Sequence, residues 1–335
     1  MLSRVIHARG LARTFRKKKQ EVRAVVGVDL DVDAGEIVGF LGPNGAGKTT
    51  TLRMLTTLLE PTAGTATVAG CDLIADPVGV RRRIGYVSQS GSTYPDARAG
   101  EEVVDHARLY GMTTAEATRR GRQLFSELDL EGLWERQPKS MSGGQRRRLD
   151  IAVGLVHVPE LVFLDEPTTG LDPQARANLW QHIRALREDR GTTVFLTTHY
   201  LDEADALCDR ILVIDHGAIV ASGTPDQLKS QVGGDVLTVT VARPDQAAEV
   251  AGLVGALPGA EPPQVVDDRV IGRVRHGGAA LVELVRGLDR AGIAVSGVES
   301  RRPSLDVVFL QLTGRSLREA ETTAAAPVAA EEVSV

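Results

Sequence analysis

The run Gly42-Pro43-Asn44-Gly45-Ala46-Gly47-Lys48-Thr49-Thr50 constrains this chain more than any other stretch. It matches G-x-x-x-x-G-K-[ST], a loop whose glycines let backbone amides approach phosphate oxygens closely. Such a loop works only between a strand and a helix, and the flanks supply both. Glu36-Ile37-Val38-Gly39-Phe40-Leu41 is short and apolar and reads as a buried strand. Residues 48–59 contain neither Gly nor Pro and place Leu52, Leu55 and Leu59 at helical spacing. The helix N-terminus adds aligned N–H dipoles. Gly42, Asn44, Gly45, Ala46, Gly47, Lys48, Thr49 and Thr50 are therefore the candidate nucleotide contacts. Lys48 is expected to bridge the β- and γ-phosphates, and the Thr49 hydroxyl to ligate Mg²⁺.

Further apolar runs follow at intervals suited to an α/β domain. Thr65-Ala66-Thr67-Val68 alternates as a strand does, and Ile84-Gly85-Tyr86-Val87 is another candidate. Between 100 and 137 the pattern turns helical, with Val103, Val104 and Ala107 and later Leu124 and Leu128 spaced by three and four. Leu161-Val162-Phe163-Leu164 is wholly apolar and ends in Asp165-Glu166; residues 192–197 end at Thr198-His199; Ile211-Leu212-Val213-Ile214 closes the series. Strands alternating with helices imply a mostly parallel sheet with both faces covered, its functional groups at the carboxyl edge. Asp165 is expected to hold Mg²⁺ through water, and Glu166 to orient and polarise an attacking water. Beside a phosphate loop this outweighs the alternative, a plain acidic helix start.

At 335 residues the chain has room for two domains. A composition shift over 229–235 suggests a first domain of 1–230, with a helical insert of about 90–158, and a second of 231–315. In the second, strands at 236–241, 269–274 and 293–298 alternate with helices at 246–257 and around Leu281, Leu284, Val285 and Leu288. That β-α-β-α-β order suggests a small ferredoxin-like α+β unit. After Pro303, Leu305, Val308, Phe309 and Leu312 share one helix face, suited either to that unit's core or to a partner. Residues 316–335, rich in Ala, Glu and Thr, read as disordered. A net charge of −5 argues against a general nucleic-acid binder, and the runs Arg16-Lys17-Lys18-Lys19, Arg81-Arg82-Arg83 and Arg146-Arg147-Arg148 read as solvated surface. Cys71 and Cys208 lie far apart without C-x-x-C spacing, as unpaired cytosolic thiols do. No apolar run is long enough to span a bilayer.

One ordered set of motifs carries a family resemblance. The phosphate loop, Gln89, Ser142-Gly143-Gly144-Gln145, Leu164-Asp165-Glu166-Pro167-Thr168-Thr169-Gly170-Leu171-Asp172 and His199 together resemble the nucleotide-binding subunits of ATP-binding-cassette (ABC) proteins, over about residues 1–225. The resemblance implies an ATPase using ATP and Mg²⁺. Ser142, Gly143, Gly144 and Gln145 match the signature that contacts the γ-phosphate bound by the other protomer. One signature per chain then implies a homodimer, or a pairing with another ABC subunit, with two composite sites. Gln89 matches the glutamine that contacts Mg²⁺ and water, His199 the switch histidine at the γ-phosphate, and Asp172 the loop touching the opposite subunit. Phe15 sits where the family stacks an aromatic on adenine; plugging the edge of the first strand pair is its other reading. Met141 replaces the usual Leu before the signature, a volume-conserving change. Residues 90–100 depart from related exporters, with Arg98-Ala99 where those carry Leu-Thr, in the region expected to dock a membrane partner. The closing segment Arg302-Pro303-Ser304-Leu305-Asp306-Val307-Val308-Phe309-Leu310-Gln311-Leu312-Thr313-Gly314-Arg315, and the basic residues after the signature, resemble daunorubicin-resistance-type exporter ATPases. Their implied partner is a separately encoded multi-span permease, which places the chain peripherally on the cytoplasmic side of the cell membrane and makes its cargo a drug, antibiotic or other hydrophobic natural product. The alternatives are a soluble ABC protein acting on ribosomes or DNA, against which stand the single cassette and two isolated cysteines, or a transporter ATPase for another cargo such as polysaccharide or lipid.

Overall fold

Two long strands, β1 (Arg4–Lys17) and β2 (Gln20–Asp33), open the chain and pair antiparallel. They are followed by β3 (Ile37–Leu41), α1 (Lys48–Leu55), β4 (Ala63–Val68) and the short β5 (Cys71–Asp72). β1, β2, β4 and β5 form one antiparallel sheet in the order β2-β1-β4-β5. This computed structural model describes residues 4–17, 20–231, 234–275 and 277–314; Lys18, Lys19 and the tail read above as disordered lie outside them. The chain forms two units that part between Ser222 and Gly223.

The rest of the first unit runs α2 (Pro77–Arg83), β6 (Ile84–Val87), α3 (Ala99–Leu109), α4 (Thr114–Glu127), α5 (Gly143–Leu155), β7 (Leu161–Asp165), α6 (Pro173–Arg190), β8 (Thr193–Thr198), α7 (Leu201–Leu207), β9 (Arg210–Asp215) and β10 (Ala218–Gly223). A six-stranded sheet orders them β10-β9-β3-β8-β7-β6, with β9, β3, β8, β7 and β6 parallel. Every residue of β3, β7 and β8 is buried, as strands covered on both faces must be. Phe40, Phe195 and Phe163 pack in tilted contact across these three strands at 5.6 Å between successive ring centroids. At about 3–5 kcal/mol for each Phe-to-Ala truncation, that ladder is a large part of what holds the strand order. The parallel strands all release their loops at one edge, where residues after Leu41, Val87, Asp165 and Thr198 meet. α1 ends at Leu55 rather than running on to Leu59. The Thr56 hydroxyl turns back to the Leu52 carbonyl (2.9 Å) and Thr57 takes φ 61, which returns Leu59 to the core.

The second unit holds α8 (Pro225–Ser230), β11 (Asp235–Val241), α9 (Ala247–Gly255), β12 (Gln264–Val266), β13 (Arg269–Val274), α10 (Gly277–Ala291), β14 (Val295–Arg301) and α11 (Leu305–Thr313). Its antiparallel sheet is ordered β12-β13-β11-β14, over a core that includes Leu237, Val239, Val254, Leu284 and Leu288. The sequence reading misses β12, so the succession is β-α-β-β-α-β. All three β12 residues are exposed and lack alternation, and the turn to β13 is closed by Asp267 at φ 53. Buried Leu305, Val308 and Phe309 of α11 face α8, whose Leu228 is also buried. Leu312, read on the same α11 face, is 38% exposed, so that face is only partly covered; α8 falls in this unit, because the chain parts at Ser222. Among the described residues no helix is long and apolar enough to cross a membrane.

Candidate active site

Two glycines of the phosphate loop stand where no side chain fits. A Cβ on Gly42 would run into the Ile214 carbonyl, and Gly47 takes φ 105 with the Ala24 carbonyl 2.6 Å from where its Cβ would stand. Glycine alone fits both positions. Asn44 and Gly45 are exposed at the rim, and Ala46 is buried. Lys48, only 4% exposed, donates from Nζ to the Gly42 (2.8 Å) and Pro43 (3.1 Å) carbonyls. Thr49 and Thr50 are half-buried on the first turn of α1.

Glu166 is where the separate motifs converge. It follows β7 directly, is 7% exposed, and holds φ 43, a left-handed conformation that a non-glycine residue adopts only under constraint. Its Oε2 accepts from Gln89 Nε2 (3.0 Å) and Thr169 Oγ1 (3.2 Å), and its Oε1 lies 3.3 Å from Lys48 Nζ. His199 Nδ1 stands 3.2 Å from Oε2. The Thr197 hydroxyl accepts from the Glu166 amide (3.0 Å) and donates to Asp165 Oδ1 (2.7 Å), locking the two acidic residues to β8. Burial works to raise the Glu166 pKa, but the His199 imidazole and the Lys48 ammonium outweigh it and bring it down to about 2. A depressed carboxylate pKa stabilises the fold above the unfolded value and stops doing so as pH falls through the folded one. The stability difference between the parent and Glu166→Gln should therefore shrink as pH falls from about 4.5 toward 2. Urea unfolding at stepped pH measures it; a difference that does not change between about pH 4.5 and 2 contradicts the low value.

The donor set here suits a small hard cation. Thr49 Oγ1 donates to Asp165 Oδ1 at 3.3 Å, so a hydroxyl and a carboxylate oxygen converge beside the loop, with the Gln89 amide near by. Among the described residues no cluster of three or more His, Cys, Asp or Glu could hold a metal. Two protein oxygens completed by phosphate and water match the coordination habit of Mg²⁺.

Other candidates lie apart from this centre. Ser142 caps α5: its hydroxyl accepts from the Gln145 amide (3.2 Å), while Gln145 Oε1 accepts from the Ser142 amide (3.0 Å). The Gln145 side chain is thus turned onto its own helix. Gly143 and Gly144 sit beside Leu171 and Ala175, and Asp172 caps α6 by accepting from the Ala175 amide (2.9 Å). Among the described residues no hydrogen bond joins 142–145 to the phosphate loop of the same chain, and Ser142 and Gly143 are exposed. Phe15 pairs with Val22 on β2, is 39% exposed, and has the Arg13 guanidinium 4.9 Å over its ring. That exposure does not fit a plug.

Three residues of this centre escaped sequence reasoning: Thr169 and Thr197, hydrogen-bonded to Glu166, and Arg147. Arg81, Arg82, Arg83 and Arg146 are exposed, as expected of a solvated run, but Arg147 is buried with its guanidinium against three backbone carbonyls. Nothing in the sequence singles it out, since Arg148 precedes the apolar Ile151 and Ala152 by the same three and four.

Comparisons with known proteins point one way. A family model described as ABC transporter matches residues 25–169. The chain is 44% identical over 329 residues, 97% of each chain, to the daunorubicin/doxorubicin resistance ATP-binding protein DrrA of Streptomyces peucetius. It is 34% identical over 318 residues, 94% of this chain and 100% of the other, to the linearmycin resistance ATP-binding protein LnrL of Bacillus subtilis (strain 168). A dimeric ATP-binding cassette solved in a post-hydrolysis state with ADP and Pi superposes with a TM-score of 0.61 at 26% identity, covering 65% of this chain and 98% of that one.

Proposed function

We propose that this chain, which belongs to the ABC transporter family as an ATP-binding subunit, hydrolyses ATP to drive export of a hydrophobic natural product through a separately encoded membrane protein. The observation that carries the ATPase reading is the constrained Glu166 carboxylate, gathered with Gln89, Lys48 and His199 at the mouth of the phosphate loop. The drug-resistance names of full-length relatives support the export reading.

The chemistry follows from what these residues can do. Loop amides and the N-terminus of α1 hold the β- and γ-phosphates, and Lys48 moves from the Glu166 carboxylate to them. Glu166, ionised at neutral pH and released from Lys48, accepts a proton from a water that the Gln89 amide helps to orient. His199 donates to the γ-phosphate oxygens as charge shifts onto them. Thr49 and Asp165 would hold Mg²⁺, which when bound neutralises the phosphate oxygens. Catalysis is then mostly positioning and charge stabilisation. Phe15, with Arg13 behind it, stacks on adenine. The exposed Ser142–Gly143 end of α5 and the Asp172 loop meet the nucleotide of a second copy, giving two shared sites per dimer.

The membrane partner docks on the insert. Beside α3 lies a groove of about 490 Å³ lined by Leu58, Tyr86, Glu102, Asp105 and Leu109, with Leu58 and Leu109 57% and 82% exposed. A tagged Glu166→Gln chain, purified from detergent-solubilised membranes of its native host in ATP and Mg²⁺, should bring down a multi-span membrane protein. Ribosomal or DNA-repair proteins without a membrane chain would defeat the export reading. We propose that the second unit regulates or stabilises the dimer; deleting residues 231–335 without loss of dimerisation, ATP hydrolysis or transport would exclude this.

A further inference from the structure

Arg147 is buried on α5, one turn past the exposed signature residues, and reaches inward to the loops that carry Gln89 and Glu166. Its Nη1 donates to the Ser88 carbonyl (2.5 Å), the residue before Gln89. Its Nη2 donates to the Asp165 carbonyl (2.9 Å) and its Nε to the Pro167 carbonyl (2.9 Å), the residues on either side of Glu166. We propose that Arg147 is a positioning residue for the hydrolytic centre, holding Gln89 and Glu166 in register with each other and with the signature helix.

Three features favour this over a merely buried ion. Glu166 keeps its left-handed φ of 43 only if its neighbours are fixed, and the Arg147 guanidinium bonds the carbonyls of both. Asp150, three residues on along the same helix face, accepts from the Ser92 (3.0 Å) and Thr93 (3.3 Å) amides, so α5 holds the Gln89 loop at both ends. The loop also passes Asp150 so closely that a Cβ on Gly91, at φ 78, would lie 2.9 Å from Oδ2. Only a planar fork with donors in several directions serves three carbonyls on two loops; a lysine ammonium reaches a single cluster and a glutamine amide fewer still. One consequence rests on the proposed two-copy site: a small shift of α5 as its N-terminus meets the partner's nucleotide passes directly to the peptides flanking Glu166.

The test compares full-length Arg147→Lys and Arg147→Met with the parent for unfolding midpoint, binding of a fluorescent trinitrophenyl-ATP, and steady-state ATP hydrolysis. Both variants should fold and bind the probe within about threefold of the parent, with KM near parental. Turnover should fall roughly tenfold for Lys and roughly a hundredfold for Met, because misplacement costs rate rather than binding. Turnover within twofold of the parent in a folded Arg147→Met would overturn the proposal. If that variant does not fold, Asp150 decides: Asp150→Asn keeps the acceptor oxygen and parental turnover, whereas Asp150→Ala should slow hydrolysis as Arg147→Lys does. Parental rates in both Asp150 variants and in Arg147→Lys would sink the clamp. Failure of the ATPase reading looks different, because the parent itself would not hydrolyse ATP or Glu166→Gln would match it.

Discussion

Glu166→Gln is expected to bind ATP with near-parental affinity and to turn it over about 100- to 10 000-fold more slowly, the range a general base contributes. The substitution keeps the shape of the side chain. The amide oxygen can still accept from Gln89 Nε2 and Thr169 Oγ1; its NH2 takes the place of Oε1 and gives up the Lys48 contact, but Lys48 retains the Gly42 and Pro43 carbonyls at 2.8 and 3.1 Å. What disappears is the ionised carboxylate that accepts a proton. In kinetic terms turnover should fall while KM stays put, the mark of an interaction made in the transition state alone.

The same variant should accumulate a species of twice the mass in ATP and Mg²⁺, because the nucleotide that joins two copies is not consumed. Size-exclusion chromatography with light scattering reads this directly, and adding Lys48→Met should abolish it. Hydrolysis at the parental rate would remove Glu166 from the water and leave His199, 3.2 Å away, as the next candidate.

Legibility in the sequence tracks how local each feature is. β3 and β7 are plain in sequence because a strand buried on both faces is a short run of apolar residues, and the phosphate loop is plain because its glycines answer clashes with nearby backbone. The exposed β12 offers neither an apolar run nor alternation, and its pairing is set by a tight turn, so it escaped. The site behaves likewise. Gln89 and Glu166 are nameable one by one, but the 3.0 Å between them spans 77 residues of chain and exists only because β6 and β7 are neighbours. Arg147 is harder still: three consecutive arginines look alike, and only the rotation of α5 against β7 decides which one turns inward.

Two inactive variants, mixed, should recover activity that neither has alone. Lys48→Met removes the ammonium from the phosphate loop, and Ser142→Arg fills the exposed end of α5 with a bulky cation. Losing the Ser142 cap costs only about 1 kcal/mol, too little to unfold a domain of this size. If each site combines the phosphate loop of one copy with the signature of the other, a mixed dimer carries one doubly damaged site and one intact site. Random pairing makes half the dimers mixed, so about a quarter of the parental sites are whole. Mixing the two purified variants in equal amounts and measuring ATP hydrolysis, with each variant alone as control, reads this directly. If a site were built within one chain, both copies in the mixed dimer would be damaged and no activity would return. That result would contradict the reading drawn from an exposed Ser142 that makes no hydrogen bond to its own phosphate loop among the described residues. Recovered hydrolysis would mean that the copy binding a nucleotide needs its partner's α5 to complete the site.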